Sequence, residues 1–393
     1  MVQRVTIGVF GPRNAGKSSL VNLIVGQQVS IVSDVAGTTT DPVSKPIEIN
    51  GLGACVFIDT PGYDDGGKLG TMRVSRTKQT IARCEIALFV IPTTMTNDEL
   101  REAHRWYMLI SERVPQTMVV INRFASAVSN DFLTRYDKVF PSIEYVAVDI
   151  TDASSRDVLL MSLGFVRERI SDDLTIVTHL VQPYDVVLLV MPQDIQAPAG
   201  RLILPQVQTI RELLDYRCTV ISCTVESFSS TICALCRPIS LIVCDSQIFD
   251  IINAQRPYGV RLTSFSVLFA RWKGDIDTFI SGANTISKLT DKSRVLIAEA
   301  CTHAPLAEDI GREKIPSMLR RVAGEGLTID ICSGNDWPEN LSQYDLVVHC
   351  GACMLGRQQV LSRLSDLSQC HVPVTNYGVA IAYLKGILNK IVY

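Results

Sequence analysis

The chain has 393 residues, 47% of them hydrophobic and 20% charged, with a formal net charge of -3. That length fits two or three domains, and the slightly acidic balance excludes a globally basic nucleic-acid-binding surface. No apolar run reaches membrane-span length, Met1 leads straight into a strand with no room for a signal or transit peptide, and 12 cysteines without an export signal indicate buried thiols or metal ligands in a reducing compartment.

Residues 1 to about 170 alternate short apolar strands with helical patterns, which predicts a doubly wound α/β domain. An apolar run from Val5 to Phe10 leads into Gly11-Pro12-Arg13-Asn14-Ala15-Gly16-Lys17-Ser18, which fits the pattern G-x-x-x-x-G-K-S, and Leu20, Leu23 and Ile24 then keep a helical period. In a strand–loop–helix setting, successive backbone N–H groups and the helix N-terminus surround an anion. Gly11, Asn14, Ala15, Gly16, Lys17, Ser18 and Ser19 are therefore the expected nucleotide contacts, with Lys17 on the terminal phosphates and the Ser18 hydroxyl on Mg²⁺.

A polar loop from Gln27 to Pro42 carries Thr38, Thr39 and Thr40, one of which should reach the metal in the triphosphate state. A strand from Ala54 to Ile58 ends in Asp59-Thr60-Pro61-Gly62, placing Asp59 near the magnesium and the Gly62 N–H near a γ-phosphate. A further strand, Thr117 to Ile121, ends in Asn122-Arg123-Phe124-Ala125. No later base-contacting motif is recognisable near Val146-Ala147-Val148-Asp149.

On the segments Asn14 to Leu20, Gly37-Thr38-Thr39 and Asp59 to Gly62, this half resembles the translation-factor-like GTPases of the tRNA-modification and ribosome-assembly group. The resemblance implies GTP/GDP binding, with Lys17, Thr39, Asp59 and Gly62 in hydrolysis and Asn122 and Arg123 at the base. It also implies a K⁺ ion near Asn14 that stands in for an arginine finger. Tyr63 follows Gly62 where a glutamine would orient water, so hydrolysis is expected to be slow and K⁺-stimulated. Ala125 replaces the carboxylate that reads the guanine N1 and N2 hydrogens, which weakens the case for guanine discrimination.

Residues 171–262 read as a second α/β unit, with strands at Val186–Val190, Thr219–Ser222 and Leu241–Cys244 and a helix at Val207–Leu214. Gln196 to Gln206 is an apolar loop bracketed by prolines, which indicates a self-association surface. Cys233-Ala234-Leu235-Cys236 has metal-like spacing but no second pair close by, and buried thiols are the expectation. Residues 263–393 form a third α/β unit in which a strand from Val295 to Ala300 runs into Cys301-Thr302-His303, and a strand from Asp345 to Val348 runs into His349-Cys350-Gly351-Ala352-Cys353. The two strands could be neighbours in one sheet. Cys301, Cys350 and Cys353 with His303, His349 and Glu308 fit either Zn²⁺ or an iron–sulfur cluster. Cys55, Cys84, Cys218, Cys223, Cys244, Cys332 and Cys370 are expected to be packing, and the isolated His104, His179 and His371 to be surface or satisfied histidines.

A nucleotide-binding domain followed by C-x-H-x45-H-C-x-x-C resembles the GTPase scaffold proteins of [FeFe]-hydrogenase maturation. The likeness extends to Ala197-Pro198, Gly200 to Gln206, Glu308 to Arg312, Lys314-Ile315-Pro316 and Asn376-Tyr377-Gly378. It implies a [4Fe-4S] cluster on Cys301, Cys350 and Cys353, with a weak or exchangeable fourth site. It further implies a homodimer and a di-iron precursor cluster received from two radical-SAM maturases and delivered to apo-[FeFe]-hydrogenase. GTP would then time the exchange of partners. A cytoplasmic, anaerobic setting or an anaerobic organelle is expected, with neither nucleic acid nor membrane as partner. The alternative is a tRNA-modification or ribosome-assembly GTPase with a C-terminal structural zinc.

Overall fold

The computed structural model of the chain describes residues 5–26, 43–49, 52–63, 77, 79–124, 127–170, 174–192, 202–300, 310–334, 337–338, 340–352 and 355–393. Two compact units divide it, residues 2–172 and residues 173–393.

The first unit is built on a six-stranded sheet: β1 (Val5–Phe10), β2 (Val43–Ile49), β3 (Gly53–Asp59), β4 (Ile86–Pro92), β5 (Gln116–Asn122) and β6 (Tyr145–Val148). The order is β2-β3-β1-β4-β5-β6, parallel throughout except for the edge strand β2. All seven residues of β4 are buried, as expected of a central parallel strand covered on both faces. Leu88 and Val90 join the core under α1 (Lys17–Val25) and α4 (Ser155–Glu168), where Leu20, Ile24, Leu159 and Leu163 pack. Phe89 and Ile91 join the opposite core under α2 (Asn97–Ser111) and α3 (Asn130–Val139), with Leu100, Phe132 and Tyr136. Helix α2 starts at a capping box: Thr96 N donates to Glu99 Oε2 at 2.7 Å, and Glu99 N donates back to Thr96 Oγ1 at 3.4 Å.

The second unit holds two four-stranded parallel sheets. The first comprises β7 (Val186–Val190), β8 (Thr219–Cys223), β9 (Leu241–Cys244) and β10 (Arg261–Ser264) in the order β10-β9-β7-β8. The second comprises β11 (Arg294–Glu299), β12 (Thr328–Ser333), β13 (Leu346–His349) and β14 (Val374–Asn376) in the order β12-β11-β13-β14. Connecting helices are α5 (Leu204–Asp215), α6 (Phe228–Ala234), α7 (Phe249–Gln255), α8 (Phe265–Lys273), α9 (Ile276–Asn284), α10 (Ile315–Ala323), α11 (Arg357–Gln369) and α12 (Tyr377–Leu384). One continuous core takes Leu188, Val190 and Ile242 from the first sheet and Leu296, Ile297 and Val348 from the second. Helices α8 and α12 touch closely within it: a Cβ on Gly378 would lie 2.7 Å from Ser266 Cβ, so only glycine fits. Strand β10 and its continuation into α8 straddle residue 262, where the sequence suggested a boundary.

The expected strands fall within a residue or two of the observed ones, the usual uncertainty at element ends. Two expectations need correction. Leu204-Pro205-Gln206 opens α5 instead of continuing a loop, because Pro is well suited to a first helical turn; the 196–201 part of that segment lies outside the described residues. Cys233 and Cys236 are exposed instead of buried, Cys233 in the last turn of α6 and Cys236 just past its C-cap. Cys370 is likewise exposed, whereas Cys55, Cys84, Cys218 and Cys244 are buried and the half-buried Cys223 and Cys332 pack against the core, as expected. His179 is a satisfied histidine, as expected: its Nδ1 lies 3.2 Å from Thr175 Oγ1 and 3.4 Å from Arg271 Nη1.

Candidate functional site

The loop between β1 and α1 forms the first site. Gly16 has φ of 94°, and a Cβ there would stand 2.1 Å from Ile150 Cδ1 and 2.9 Å from Asn122 Nδ2. Glycine is therefore required twice over, by backbone conformation and by space. Lys17 is buried, and its Nζ donates to the carbonyls of Gly11 at 3.1 Å and Pro12 at 2.6 Å. Asn14 takes a left-handed conformation at φ 58°. Ser19 follows Ser18 in the first turn of α1, and Ala15 is buried.

Val9 on β1 pairs with Asp59 on β3, which brings the D-x-x-G segment beside the loop. Thr60 Oγ1 locks the junction by donating to Val9 O at 2.6 Å. Ser18 Oγ donates to Asp59 Oδ2 at 2.5 Å. Burial raises the Asp59 carboxyl above its ordinary range, opposed by the Ser18 bond, the Lys17 charge and a backbone bond at Thr60. Asp59 Oδ1 is buried with no hydrogen-bond partner among the described residues. A buried, partly unsatisfied carboxylate beside a serine hydroxyl suits a hard cation such as Mg²⁺. Gly62 follows, and the Tyr63 ring stacks on Trp106 at 5.1 Å and on Phe89 at 6.1 Å, so packing accounts for the aromatic at that position.

Asn122 is fully buried at the end of β5 and ties this strand to the loop: its Nδ2 donates to Ala15 O at 3.1 Å, and its Oδ1 accepts from Phe124 N at 3.4 Å. Arg123 N donates to Val148 O at 3.0 Å. Asp131 pairs with Arg135 at 3.0 Å on the exposed first turn of α3. Thr38, Thr39 and Ala125 lie outside the described residues. Sequence reasoning missed the turn after β6, where Asp149 Oδ1 accepts from Thr151 N at 2.9 Å and Thr151 Oγ1 at 2.6 Å, and Ile150 backs Gly16. An Asp with a Thr two residues on was the available signal.

The second site lies at the carboxyl end of the last sheet. Strands β11 and β13 are adjacent and parallel, with Ala298 opposite His349. Cys350 continues the pairing: its N donates to Ala298 O at 2.9 Å. Two backbone N–H groups converge on Cys350 Sγ, from Ala300 at 3.0 Å and Ala352 at 3.4 Å. Such donors stabilise a thiolate and suit a metal-bound sulfur. The loop is held from α8, where buried Lys273 Nζ donates to the carbonyls of Ala352 and Leu355, both at 2.8 Å. Asn376 Nδ2 donates to Cys350 O at 3.2 Å, and its Oδ1 accepts from Ser266 Oγ at 3.1 Å and Gly378 N at 2.9 Å.

His349 is buried with both ring nitrogens engaged. Arg363 Nη1 donates to Nε2 at 3.0 Å, which leaves Nδ1 carrying the hydrogen toward Cys350 O at 2.9 Å. Burial, then the Arg363 charge, push the imidazole down to about 4, so it is neutral at pH 7. To ligate a metal, His349 would have to release one of these contacts. On the neighbouring strand, Glu299 accepts from Arg312 Nη2 at 2.9 Å and from Ser333 Oγ at 3.0 Å. Cys301, His303, Glu308 and Cys353 lie outside the described residues, and among the described residues no three His, Cys, Asp or Glu groups cluster as a metal site. Lys273 and Arg363 escaped the sequence reading. Their signal was a cation on an apolar helix face: Arg363 falls in the stripe of Val360 and Leu367.

The phosphate loop, the Asp59 strand end and the Asn122 tie define a P-loop GTPase domain, here joined to a unit of two parallel sheets. The family model for the 50S ribosome-binding GTPase matches residues 6–123, that for the hydrogen maturase F dimerization domain residues 176–274, and that for the hydrogen maturase F tetramerization domain residues 277–393. The chain belongs to the hydrogen maturase F family of GTPases. Its two family-specific domains support self-association. GTPase Der of Wolinella succinogenes is 39% identical over 101 residues, 25% of this chain and 21% of that protein. GTPase Der of Kosmotoga olearia is 34% identical over 190 residues, 44% of this chain and 41% of that protein. The chain thus spans at most about two-fifths of these relatives' length. Among solved structures, Aquifex aeolicus Era bound to GDP.AlF4- matches over 57% of this chain and 93% of that chain, at 20% identity and a TM-score of 0.37. No helix among the described residues is long and apolar enough to cross a membrane.

Proposed function

We propose that this protein is a GTP-hydrolysing scaffold or carrier of [FeFe]-hydrogenase maturation. It holds a [4Fe-4S] cluster on Cys301, Cys350 and Cys353 and passes a di-iron precursor from two radical-SAM maturases to the apo-hydrogenase. The observation that carries this reading is the pairing of β11 with β13, because the two C/H-bearing segments leave adjacent strands at the end of the sheet where ligands bind. The converging N–H groups on Cys350 Sγ support it. The fourth iron is left to His303, Glu308 or an exogenous group, since both nitrogens of His349 are engaged. The cluster supplies an exchangeable, redox-active iron position when bound.

Residues 1–170 are the nucleotide unit, 171–262 the homodimerisation unit and 263–393 the cluster unit. In the nucleotide unit, Lys17 exchanges the Gly11 and Pro12 carbonyls for phosphate oxygens, and Ser18 with Asp59 holds Mg²⁺. Mg²⁺ supplies charge stabilisation at the β- and γ-phosphates. Asn122 fixes the loop to the base-binding edge through Ala15. Thr39 and Gly62 respond to the γ-phosphate, and a K⁺ ion near Asn14 stimulates slow hydrolysis. The working compartment is a reducing, anaerobic cytoplasm. Anaerobic purification with iron, sulfide and zinc analysis tests the reading: about four irons and four sulfides per chain are expected. Zinc without iron, or a full cluster in Cys350→Ala, would refute it.

A further inference from the structure

Arg363 points from α11 into the interior beside the end of β13 and is only 6% exposed. Its hydrogen-bond and ring partners among the described residues are neutral, His349 Nε2 at 3.0 Å, Gly334 O at 2.5 Å and the Trp337 ring at 4.8 Å, while Cys332, Cys350 and Asp366 act on it only electrostatically. No ion pair among the described residues includes it. Burying a guanidinium this way is strongly unfavourable unless an anion balances it. An apolar side chain at this place in the Val360 and Leu367 stripe would pack without that penalty.

We propose that Arg363 is the counter-charge of the iron–sulfur cluster, held in place through His349, whose other nitrogen meets the Cys350 backbone; this rests on the cluster reading above. A [4Fe-4S] core on three thiolates is net negative and gains one more negative charge on one-electron reduction. A cation fixed beside it in a water-poor interior stabilises the reduced form more than the oxidised one and raises the reduction potential. The planar fork explains the choice of arginine, because it can meet a histidine nitrogen and a carbonyl at once and still lie over an indole.

The test uses the full chain, reconstituted anaerobically with ferrous iron and sulfide, and titrated with dithionite while electron paramagnetic resonance reads the reduced fraction. Arg363→Gln should lower the reduced-to-oxidised ratio at the wild-type midpoint at least tenfold, a shift of about 59 mV or more to negative potential for one electron. Arg363→Lys keeps the charge and should stay within a few-fold of wild type. A Gln variant with the wild-type potential, or a Lys variant displaced as far as the Gln variant, would overturn the proposal. Should the Gln variant not load iron, the Lys variant decides: full iron with a near-wild-type potential supports the charge role, and loss of both overturns it. Wild-type protein without iron and sulfide would overturn the cluster reading itself, an outcome distinct from an unshifted Gln variant.

Discussion

Glu85 stands at the mouth of the apolar strand β4 and is buried. Its Oε2 accepts from Thr6 N at 2.6 Å while its own N donates to Thr6 O at 2.9 Å, stitching β1 to β4 at the strand ends opposite the phosphate loop. Burial pushes the carboxyl up from 4.5 to about 7, only partly offset by the Thr6 bonds and by Arg167. The folded state therefore keeps a proton that the unfolded chain has already lost. The stabilisation is complete below pH 4.5 and is lost as pH rises through about 7. A shift of about 2.5 units corresponds to on the order of 3 kcal/mol. Glu85→Gln keeps a carbonyl acceptor for Thr6 but cannot ionise. It should match wild type near pH 5 and stabilise the strand pair by up to that amount at pH 8. Two domains make a single unfolding free energy ill-defined, so the assay is hydrogen exchange on peptides spanning 5–10 and 86–92, corrected for intrinsic rates. Protection in the Gln variant should exceed wild type by about two orders of magnitude at pH 8 and by little at pH 5. A variant-to-wild-type ratio that is the same at both pH values would refute the reasoning.

Gly16→Ala would drive a Cβ to 2.1 Å from Ile150 and force a residue to φ 94°, so fluorescent GDP binding should fall at least tenfold while the 173–393 unit keeps its exchange pattern; unchanged affinity would remove Gly16 from the site. Lys273→Met would leave the Ala352 and Leu355 carbonyls short of a charged donor, at about 2 kcal/mol, and should speed amide exchange of a 346–357 peptide about thirty-fold; an unchanged rate would mean the loop is held without it.

Much of the nucleotide site was legible because its chemistry is local. A phosphate loop needs glycine, lysine and serine at fixed spacing along one strand–loop–helix unit, and the chain spells that spacing out. Strand assignments were equally readable, since parallel strands buried on both faces are continuous apolar runs such as Ile86–Pro92. The burial of single cysteines was not readable: Cys233 in the last turn of α6 and Cys236 just past it are exposed, and nothing in an apolar neighbourhood says which side a short helix and its exit turn outward.

The sequence by itself determined the phosphate loop, Asp59 at a strand end, the run of α/β units and the two C/H-bearing segments, because each is encoded by neighbours in the chain. Only the tertiary structure decided that β11 and β13 lie side by side. It also decided that Asn122 reaches Ala15, more than a hundred residues away, and that His349 faces Arg363. The first two are pairings across crossover connections, and the third joins a strand end to the inner face of the helix after it. Sheet order and helix-face contact set them, and they depend on how whole apolar surfaces are buried, not on any local spacing of residues.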